Sequence, residues 1–192
     1  MTKNLELPPL RPGMNHQIIL KNPYPVWKPR NIKPKGKFLA NMWEKLIVEE
    51  KSGRVYRSED TSCSAMFVIP KMDDLSKPKY IHDLVKINEE TELQPALIPS
   101  QSLIRTRVAT HPFRSKIDIS NGYHTIRVHS PHENYITFST PYGTYRTRVI
   151  QQRNCNTPAT FQNIMNNLFK HELGISVYIY MDDIFIFSKT YK

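Results

Sequence analysis

The strongest hydrophobic runs of the chain lie near its C-terminus, on either side of two adjacent aspartates. The stretch from Val177 to Phe187 consists of β-branched and aromatic residues, apart from Met181, Asp182 and Asp183 in its middle. Such runs are typical of short buried strands. Met181 and Asp182 stand at the spacing of a two-residue hairpin turn, and Asp is a common turn residue. The pattern therefore predicts a hairpin of two buried strands with an acidic tip.

A second segment with strand character covers residues 113–128 and reads FRSKIDISNGYHTIRV. Ile117, Ile119 and Val128 are typical strand residues. Alternation places Asp118 on the face opposite Ile117 and Ile119. The segment predicts a strand that carries one aspartate, although an exposed aspartate at a strand end is common in purely structural roles.

The two adjacent aspartates need an explanation, because like charges near a core repel each other unless a cation neutralises them. Taken alone, an acidic hairpin tip is more often structural than functional. Both arms of this hairpin are too apolar for an exposed one, however, and carboxylate oxygens are hard ligands suited to Mg²⁺ or Mn²⁺. With Asp118 as a third carboxylate on the same sheet, Asp182 and Asp183 would form a two-metal site for phosphoryl transfer.

Periodic patterns elsewhere predict further elements. The stretch KFLANMWEKLIVEE has apolar residues at helical spacing. After a turn at Gly53, the stretches AMFVIPK and KYIHDLVKIN read as two strands joined by the polar loop KMDDLSKPK, which together predict a hairpin. Downstream, Thr157 is a good N-cap, Pro158 a good first helical residue and Gly174 a typical stop, so a helix is predicted from residue 158 to about residue 173.

The first 37 residues differ in composition from the rest, since they hold seven of the 15 prolines. They also carry six basic residues beyond position 20: Lys21, Lys28, Arg30, Lys33, Lys35 and Lys37. This composition predicts an extended basic arm rather than part of a folded core. The arm could follow a nucleic-acid backbone or act as a solvated linker, and the linker is favoured.

Composition narrows the classes of partner and compartment. The chain has 192 residues, with 27 Lys and Arg against 17 Asp and Glu, and a formal charge of +10. This length suits one or two compact units, and the charge favours a polyanion such as nucleic acid, although a merely soluble or ribosome-associated basic protein has the same balance. Cys63 and Cys155 suggest no disulfide framework, which indicates a reducing compartment. With no apolar signal segment and no 18-residue apolar run, no membrane is expected as a partner.

These motifs occur in an order that resembles the reverse transcriptases of gypsy-type LTR retrotransposons. Five stretches are similar to motifs of that family: SAMFVIPK, HDLVKIN, KIDISNGYHTIRV, TPYGTYRTRVIQQRNCNTPATFQNIMN and the YMDD box. The stretch LPPLRPGMNHQIIL resembles the segment that precedes the polymerase in such polyproteins. YMDD alone would be a weak signal, but five motifs in the family's order over nearly the whole chain are a strong one.

The resemblance implies an α+β fold of right-hand fingers and palm, with a mixed antiparallel palm sheet packed on helices and the thumb absent. Residues 1–37 would be the extended N-terminal arm, residues 38–112 the fingers and the start of the palm, and residues 113–192 the palm with the catalytic aspartates. The chain stops nine residues after Asp183, where the family continues with further palm strands, a thumb, an RNase H domain and usually an integrase. Those parts of the Pol polyprotein are expected partners, if present.

By the same resemblance, the activity would be that of an RNA-directed DNA polymerase. It would join a primer 3′-hydroxyl to the α-phosphate of a dNTP on an RNA or DNA template, with two Mg²⁺ or Mn²⁺ ions. Asp118, Asp182 and Asp183 would be the catalytic, metal-binding carboxylates, and Asp118 and Asp182 would be the bridging pair. The compartment would be the cytoplasmic retrotransposon particle or the nucleus.

Five more residues match nucleotide-binding positions of the family. Lys71 and Lys79 would offset the charge of the triphosphate, although Lys79 lacks the bidentate contact of the Arg that is common there. Tyr123 would be the aromatic gate under the sugar. Gln152 would hydrogen-bond near the sugar, and Met181 would lie beneath the primer terminus. Without the resemblance, both lysines would read as solvated loop charges and Tyr123 as ordinary core.

Four positions depart from the family pattern. Arg153 stands where the pocket loop usually has Gly, which tolerates positive φ and close backbone approach. Asn154 replaces an apolar residue, Thr157 an Ala, and Val85 an Arg. Two alternatives therefore stay open beside the polymerase: an inactive remnant that only binds nucleic acid, favoured by Arg153 and the missing thumb, and a protein-interaction module, for which no sequence feature argues.

Overall fold

The computed structural model of the chain describes residues 6–22, 27–28, 36–72, 74–119 and 121–191. Four α-helices and eight strands lie along these ranges. In chain order they are α1 Leu39–Lys51, β1 Val55–Ser58, β2 Ser64–Pro70, β3 Pro78–His82, α2 Val85–Glu90, α3 Gln101–Ala109, β4 Phe113–Asp118, β5 Thr137–Thr140, β6 Gly143–Thr147, α4 Thr157–Leu168, β7 Val177–Tyr180 and β8 Asp183–Ser188. Short 3₁₀ helices cover Gly36–Phe38, Gly122–Thr125 and Ser130–Ile136. No helix within these ranges has the length and apolarity needed to cross a membrane.

The described strands form two sheets. The larger one has the order β1-β6-β5-β2-β3, in which β2 and β5 are parallel and the other neighbours antiparallel. The smaller one has the order β4-β8-β7 and is antiparallel throughout. The α+β class is therefore confirmed, but the mixed pairing belongs to the larger sheet and not to the sheet that carries the aspartates.

Two hydrophobic cores correspond to the two sheets. Met42 and Leu46 of α1 pack with Tyr145 of β6 against the larger sheet, and all three side chains are almost fully buried. The helical spacing of the apolar residues in α1 thus produces the face that covers this sheet, as predicted. Phe161 of α4 and Ile179 of β7 belong to the other core, beneath the smaller sheet.

The strand predicted over KYIHDLVKIN is half wrong. Strand β3 ends at His82, and helix α2 begins at Val85. Leu84 and Ile87 are both buried, and their spacing of three residues places them on the same face of a helical turn. The beginning of the segment pairs with β2 as predicted, with Lys79 opposite Ile69.

The limits of α4 also differ from the prediction. The helix begins at Thr157 with Asn156 as its N-cap residue, and it ends at Leu168, before Gly174. The Thr157 hydroxyl donates to the Gln151 carbonyl at 3.2 Å, which ties the helix to the preceding loop instead of capping it. Val128 forms an isolated bridge with His16 rather than part of a strand.

Residues 6–22 of the N-terminal segment pack against the fold and are not a solvated linker. Ile18 and His16 are each 1% exposed. His16 accepts a backbone hydrogen bond from His129 and donates one to Arg127, and its ring lies 2.7 Å from the Thr160 hydroxyl. Burial lowers the pKa of His16 to about 4, so the ring stays neutral at pH 7. The basic residues Arg30, Lys33 and Lys35 of the predicted arm lie outside the described residues.

Candidate active site at the YMDD turn

The acidic hairpin forms as predicted. Strands β7 and β8 pair antiparallel, with Tyr180 opposite Asp183, so that Met181 and Asp182 make a two-residue turn. Met181 has a φ of 54°, which is the sign that primed hairpin turns require at their first central position. Ile179 is fully buried and Ile184 nearly so. The buried residues of the two strands alternate with half-buried or exposed ones, so one face of the hairpin packs on the core and holds the acidic tip in a defined place.

The third predicted aspartate lies beside this tip. Asp118, the last residue of β4, is directly opposite Asp183 in the strand register. The pairing continues past the strand end, where the Ile119 amide donates to the Asp182 carbonyl at 2.9 Å. The structure thus brings Asp118, Asp182 and Asp183 to one end of one sheet. Among the described residues, however, no three Asp, Glu, His or Cys side chains are arranged as a ready metal site.

A lysine already contacts one of these carboxylates. The Lys116 ammonium lies 2.7 Å from Oδ2 of Asp183. The hydrogen bond to Asp183 raises the pKa of Lys116, and the charges of Asp118 and Asp182 raise it further. Sequence reasoning missed this residue, although Lys116 is two positions before Asp118 and so shares its face of β4.

A buried glutamine fixes the turn from below. Gln162 of α4 is fully buried. Its Oε1 accepts the Met181 amide at 2.8 Å, and its Nε2 donates to the Ile179 carbonyl at 3.0 Å and to Oδ1 of Asn166 at 2.9 Å. Sequence reasoning missed this residue too. The signal that could have revealed it is the polar residue Gln162 directly after the apolar Phe161, on the helix that precedes the hairpin.

The predicted sugar gate, Tyr123, follows the strand that ends at Asp118. Tyr123 sits in the 3₁₀ helix after β4, with its ring 5.1 Å from that of Phe161 in an edge-on arrangement. Burial raises the pKa of Tyr123, and the charge of Asp182 adds to the shift. A Cβ at the preceding Gly122 would meet the Phe161 ring at 2.8 Å, so only glycine lets the Tyr123 turn approach α4 this closely.

The predicted pocket loop is held by one asparagine of α2. Asn88 donates from Nδ2 to the Arg153 carbonyl at 2.8 Å and accepts the Cys155 amide on Oδ1 at 3.0 Å. Arg153 has a φ of 79°, which is the left-handed conformation that glycine adopts most easily. An arginine thus holds this conformation at a position where similar reverse transcriptases usually have glycine. Gln152 and Arg153 are exposed, whereas Asn154 is buried.

The two predicted triphosphate lysines lie on the other sheet. Lys79 is in β3, and Lys71 directly follows β2 at the tip of the same hairpin. The Lys71 amide donates to the Lys77 carbonyl at 2.9 Å, which closes that tip. Both side chains are exposed. The structure places the two lysines together, but not in contact with the aspartates.

Comparison with known proteins decides the family. The family described as "Reverse transcriptase (RNA-dependent DNA polymerase)" matches residues 65–192, which include the five motifs apart from Ser64, the first residue of SAMFVIPK. The chain belongs to the reverse transcriptase family. The matched residues contain all three aspartates and the five further residues that resemble nucleotide-binding positions of reverse transcriptases.

Similar reverse transcriptases occur in transposon polyproteins. The chain is 32% identical over 141 residues to the retrovirus-related Pol polyprotein from transposon 297 of Drosophila melanogaster, across 72% of this chain and 13% of that polyprotein. It is 27% identical over 177 residues to the transposon Tf2-3 polyprotein of Schizosaccharomyces pombe, across 92% of this chain and 12% of that one. The chain therefore spans about an eighth of the length of these relatives.

Solved structures confirm the reverse transcriptase fold. The prototype foamy virus protease-reverse transcriptase superimposes with a TM-score of 0.77 at 19% identity, over 92% of this chain and 23% of that one. The foamy viral enzyme in complex with an RNA/DNA hybrid gives a TM-score of 0.77 at 20% identity, over 91% of this chain and 23% of that one.

Proposed function

We propose that this chain is the fingers and palm of an RNA-directed DNA polymerase from a gypsy-type LTR retrotransposon. The observation that carries the proposal is the pairing of Asp118 with Asp183 beside the YMDD turn, in a chain of the reverse transcriptase family. Residues 38–112 would be the fingers and the start of the palm, and residues 113–192 the rest of the palm. Template and primer would bind with the help of the formal charge of +10.

In this proposal Asp118, Asp182 and Asp183 would together hold two Mg²⁺ or Mn²⁺ ions. The donor set fits, because carboxylates are hard oxygen ligands, and the Lys116 ammonium already stands against Asp183 as a cation. When bound, the metals supply activation of the primer hydroxyl and stabilisation of the leaving pyrophosphate. The protein's own part is to hold the carboxylates in place, which the buried hairpin and the Gln162 hydrogen bonds support.

The nucleotide would bind between the lysines of the larger sheet and the aspartates of the smaller sheet. Lys71 and Lys79 would offset the triphosphate charge, and Gln152 would hydrogen-bond near the sugar. Tyr123 would lie under the sugar, a role supported by its position directly after the strand that ends at Asp118. Met181, in its turn, would support the primer terminus. The remaining partners would be the other parts of a Pol polyprotein, and the compartment the cytoplasmic particle or the nucleus.

Primer extension tests this function together with the sugar gate. The chain, alone and fused to the C-terminal part of a related polyprotein, should extend a DNA primer on an RNA template with dNTPs and Mg²⁺. Tyr123→Ala should admit ribonucleotides, since it removes the ring that clashes with a 2′-hydroxyl, and the preference for dNTP over rNTP should fall by at least about tenfold. The measurement is the ratio of kcat/KM values for dNTP and rNTP.

Tyr135→Ala is the control for the loss of an aromatic residue that packs on the same core, because the Tyr135 ring stacks on that of His132 in the 3₁₀ helix Ser130–Ile136. It should leave the sugar preference unchanged. An equal ratio in wild type and Tyr123→Ala would remove the gate assignment. Nucleic-acid binding without extension in either form of the wild-type protein would contradict the polymerase.

Nucleic-acid binding without primer extension would instead support the second candidate function, that of an inactive remnant that only binds nucleic acid. The observation that favours it is Arg153, which has a φ of 79° in the loop proposed to line the dNTP pocket. A side chain in this conformation costs of order 1–3 kcal/mol. The bulk of the guanidinium could also obstruct the nucleotide, or its charge could contact a phosphate.

Arg153→Gly and Arg153→Ala separate these effects. Both remove the guanidinium, but only glycine also relieves the strain of the positive φ. The free energy of unfolding of Arg153→Gly should therefore be about 1 kcal/mol higher than that of Arg153→Ala. If Arg153 obstructs the pocket, both variants should bind dNTP more tightly. If it contacts a phosphate, both should bind nucleic acid more weakly, with a salt dependence smaller by about one unit. Unchanged dNTP and nucleic-acid binding in both variants would show that this loop does not line the pocket.

A further inference from the structure

Among the described residues, Lys116 is the basic residue that forms an ion pair at the acidic end of the smaller sheet. Its ammonium lies 2.7 Å from Asp183, and its side chain is 55% exposed. Strand alternation places Lys116 and Asp118 on the same face of β4, and Asp118 faces Asp183 in the register. One lysine therefore stands among three carboxylates that would otherwise repel one another.

Space beside Lys116 would let this side chain leave the carboxylates. A cavity of about 560 Å³ lies between α3 and the face of the sheet that carries Lys116 and Asp183. Phe185 also lines it, and the Lys116 ammonium lies 5.7 Å from the centre of the Phe185 ring. The ammonium could thus move from a carboxylate to an aromatic face and solvent without disturbing the strand.

We propose that Lys116 is a built-in counter-cation of the metal site, which neutralises Asp183 in the metal-free protein and is displaced when metal binds. This inference rests on the proposed function, because it takes Asp118, Asp182 and Asp183 as the metal-binding carboxylates. The Lys116 ammonium and a metal ion at the same carboxylate would repel each other, so we expect the lysine to weaken the binding of metal. Lys116 is a positioning residue here, since it acts through Asp183.

The test is a titration with Mn²⁺ alone, followed by the electron paramagnetic resonance signal of the free ion. Lys116→Met keeps the length of the side chain but removes the competing charge, so the Kd for Mn²⁺ should fall by about tenfold. Arg114→Met is the matched control. Arg114 lies on the same face of β4, two residues farther from the turn, so its loss should change the Kd by less than about twofold.

A second measurement needs no substitution at position 116. In the wild-type protein with ¹³C-labelled lysine, the Lys116 side-chain NMR signal should shift on addition of Mg²⁺, and the signal of exposed Lys189 should not. A Lys116 signal that stays unchanged while metal binds would overturn the proposal. So would a Kd for Mn²⁺ that is unchanged or higher in Lys116→Met, or one that falls equally in Lys116→Met and Arg114→Met.

Asp182→Asn distinguishes a failure of this inference from a failure of the proposed function. If Mn²⁺ binds Asp182→Asn as well as it binds wild type, the carboxylate site itself is wrong. If Asp182→Asn loses Mn²⁺ while Lys116→Met has the wild-type Kd, the site stands and only the counter-cation is wrong.

Discussion

Asp118→Asn and Asp182→Asn should each lower primer extension by at least about a thousandfold and remove most metal binding. Asparagine has nearly the shape of aspartate, so the strand pairing and the turn should persist. If the aspartates hold the catalytic metals as proposed, the lost charge would remove several kcal/mol of transition-state stabilisation, and each 1.36 kcal/mol is a tenfold change in rate. The measurements are single-nucleotide incorporation and Mn²⁺ titration of the same preparations.

Asp74→Asn is the control for the loss of one negative charge. Asp74 pairs with Lys77 at 2.9 Å in the fingers loop, away from the sheet that carries the other aspartates. This variant should keep wild-type metal binding and extension. In contrast, Asp118→Asn and Asp182→Asn each remove one of three mutually repelling carboxylates. Their free energy of unfolding should therefore be unchanged or slightly higher than that of the wild type. Wild-type metal titrations in both Asp118→Asn and Asp182→Asn would refute the three-carboxylate site.

Gln162→Leu should lower the free energy of unfolding by about 2–4 kcal/mol. The substitution removes the partner of two backbone groups, the Met181 amide and the Ile179 carbonyl. Among the described strands, β7 is the edge of its sheet, so the Ile179 carbonyl that faces α4 pairs with none of them. Each buried polar group left without a partner costs about 1–3 kcal/mol, and the apolar leucine returns only part of that.

The consequences of Gln162→Leu should reach the active site, because the Met181 amide precedes Asp182 directly. Urea unfolding with linear extrapolation measures the stability, and Mn²⁺ titration measures the effect on the aspartates. Asn167→Leu makes a similar amide-to-aliphatic change on the exposed side of the same helix and should stay within about 0.5 kcal/mol of wild type. Equal stabilities of Gln162→Leu and Asn167→Leu would show that the glutamine does not hold the turn.

Local patterns predicted the elements that depend on neighbouring residues. The apolar runs around Met181 and Asp182 were enough for the YMDD hairpin, since the turn and both strands are consecutive. The apolar spacing in α1 was enough for its helix and its buried face. Where local signals conflicted, prediction failed. The segment after His82 has β-prone residues, but the buried pair Leu84 and Ile87 makes it a helix.

The N-terminal segment shows a different limit. Its prolines and lysines predicted a solvated linker, yet Ile18 and His16 are buried against the rest of the fold. Their partners, such as Thr160 and Val128, lie more than a hundred residues away in sequence. Composition describes how a segment behaves alone, and it contains no information about a groove that another part of the chain provides.

By itself, the sequence determined the three aspartates, the strands that carry them and, through the order of its motifs, the reverse transcriptase family. Only the tertiary structure decided the partners of those groups. Lys116 meets Asp183 because β4 and β8 pair in one particular register, and Gln162 reaches Met181 because α4 packs under the edge strand. Alternation reveals which face a residue occupies, but the residue that lies opposite depends on register and packing between segments that are distant along the chain.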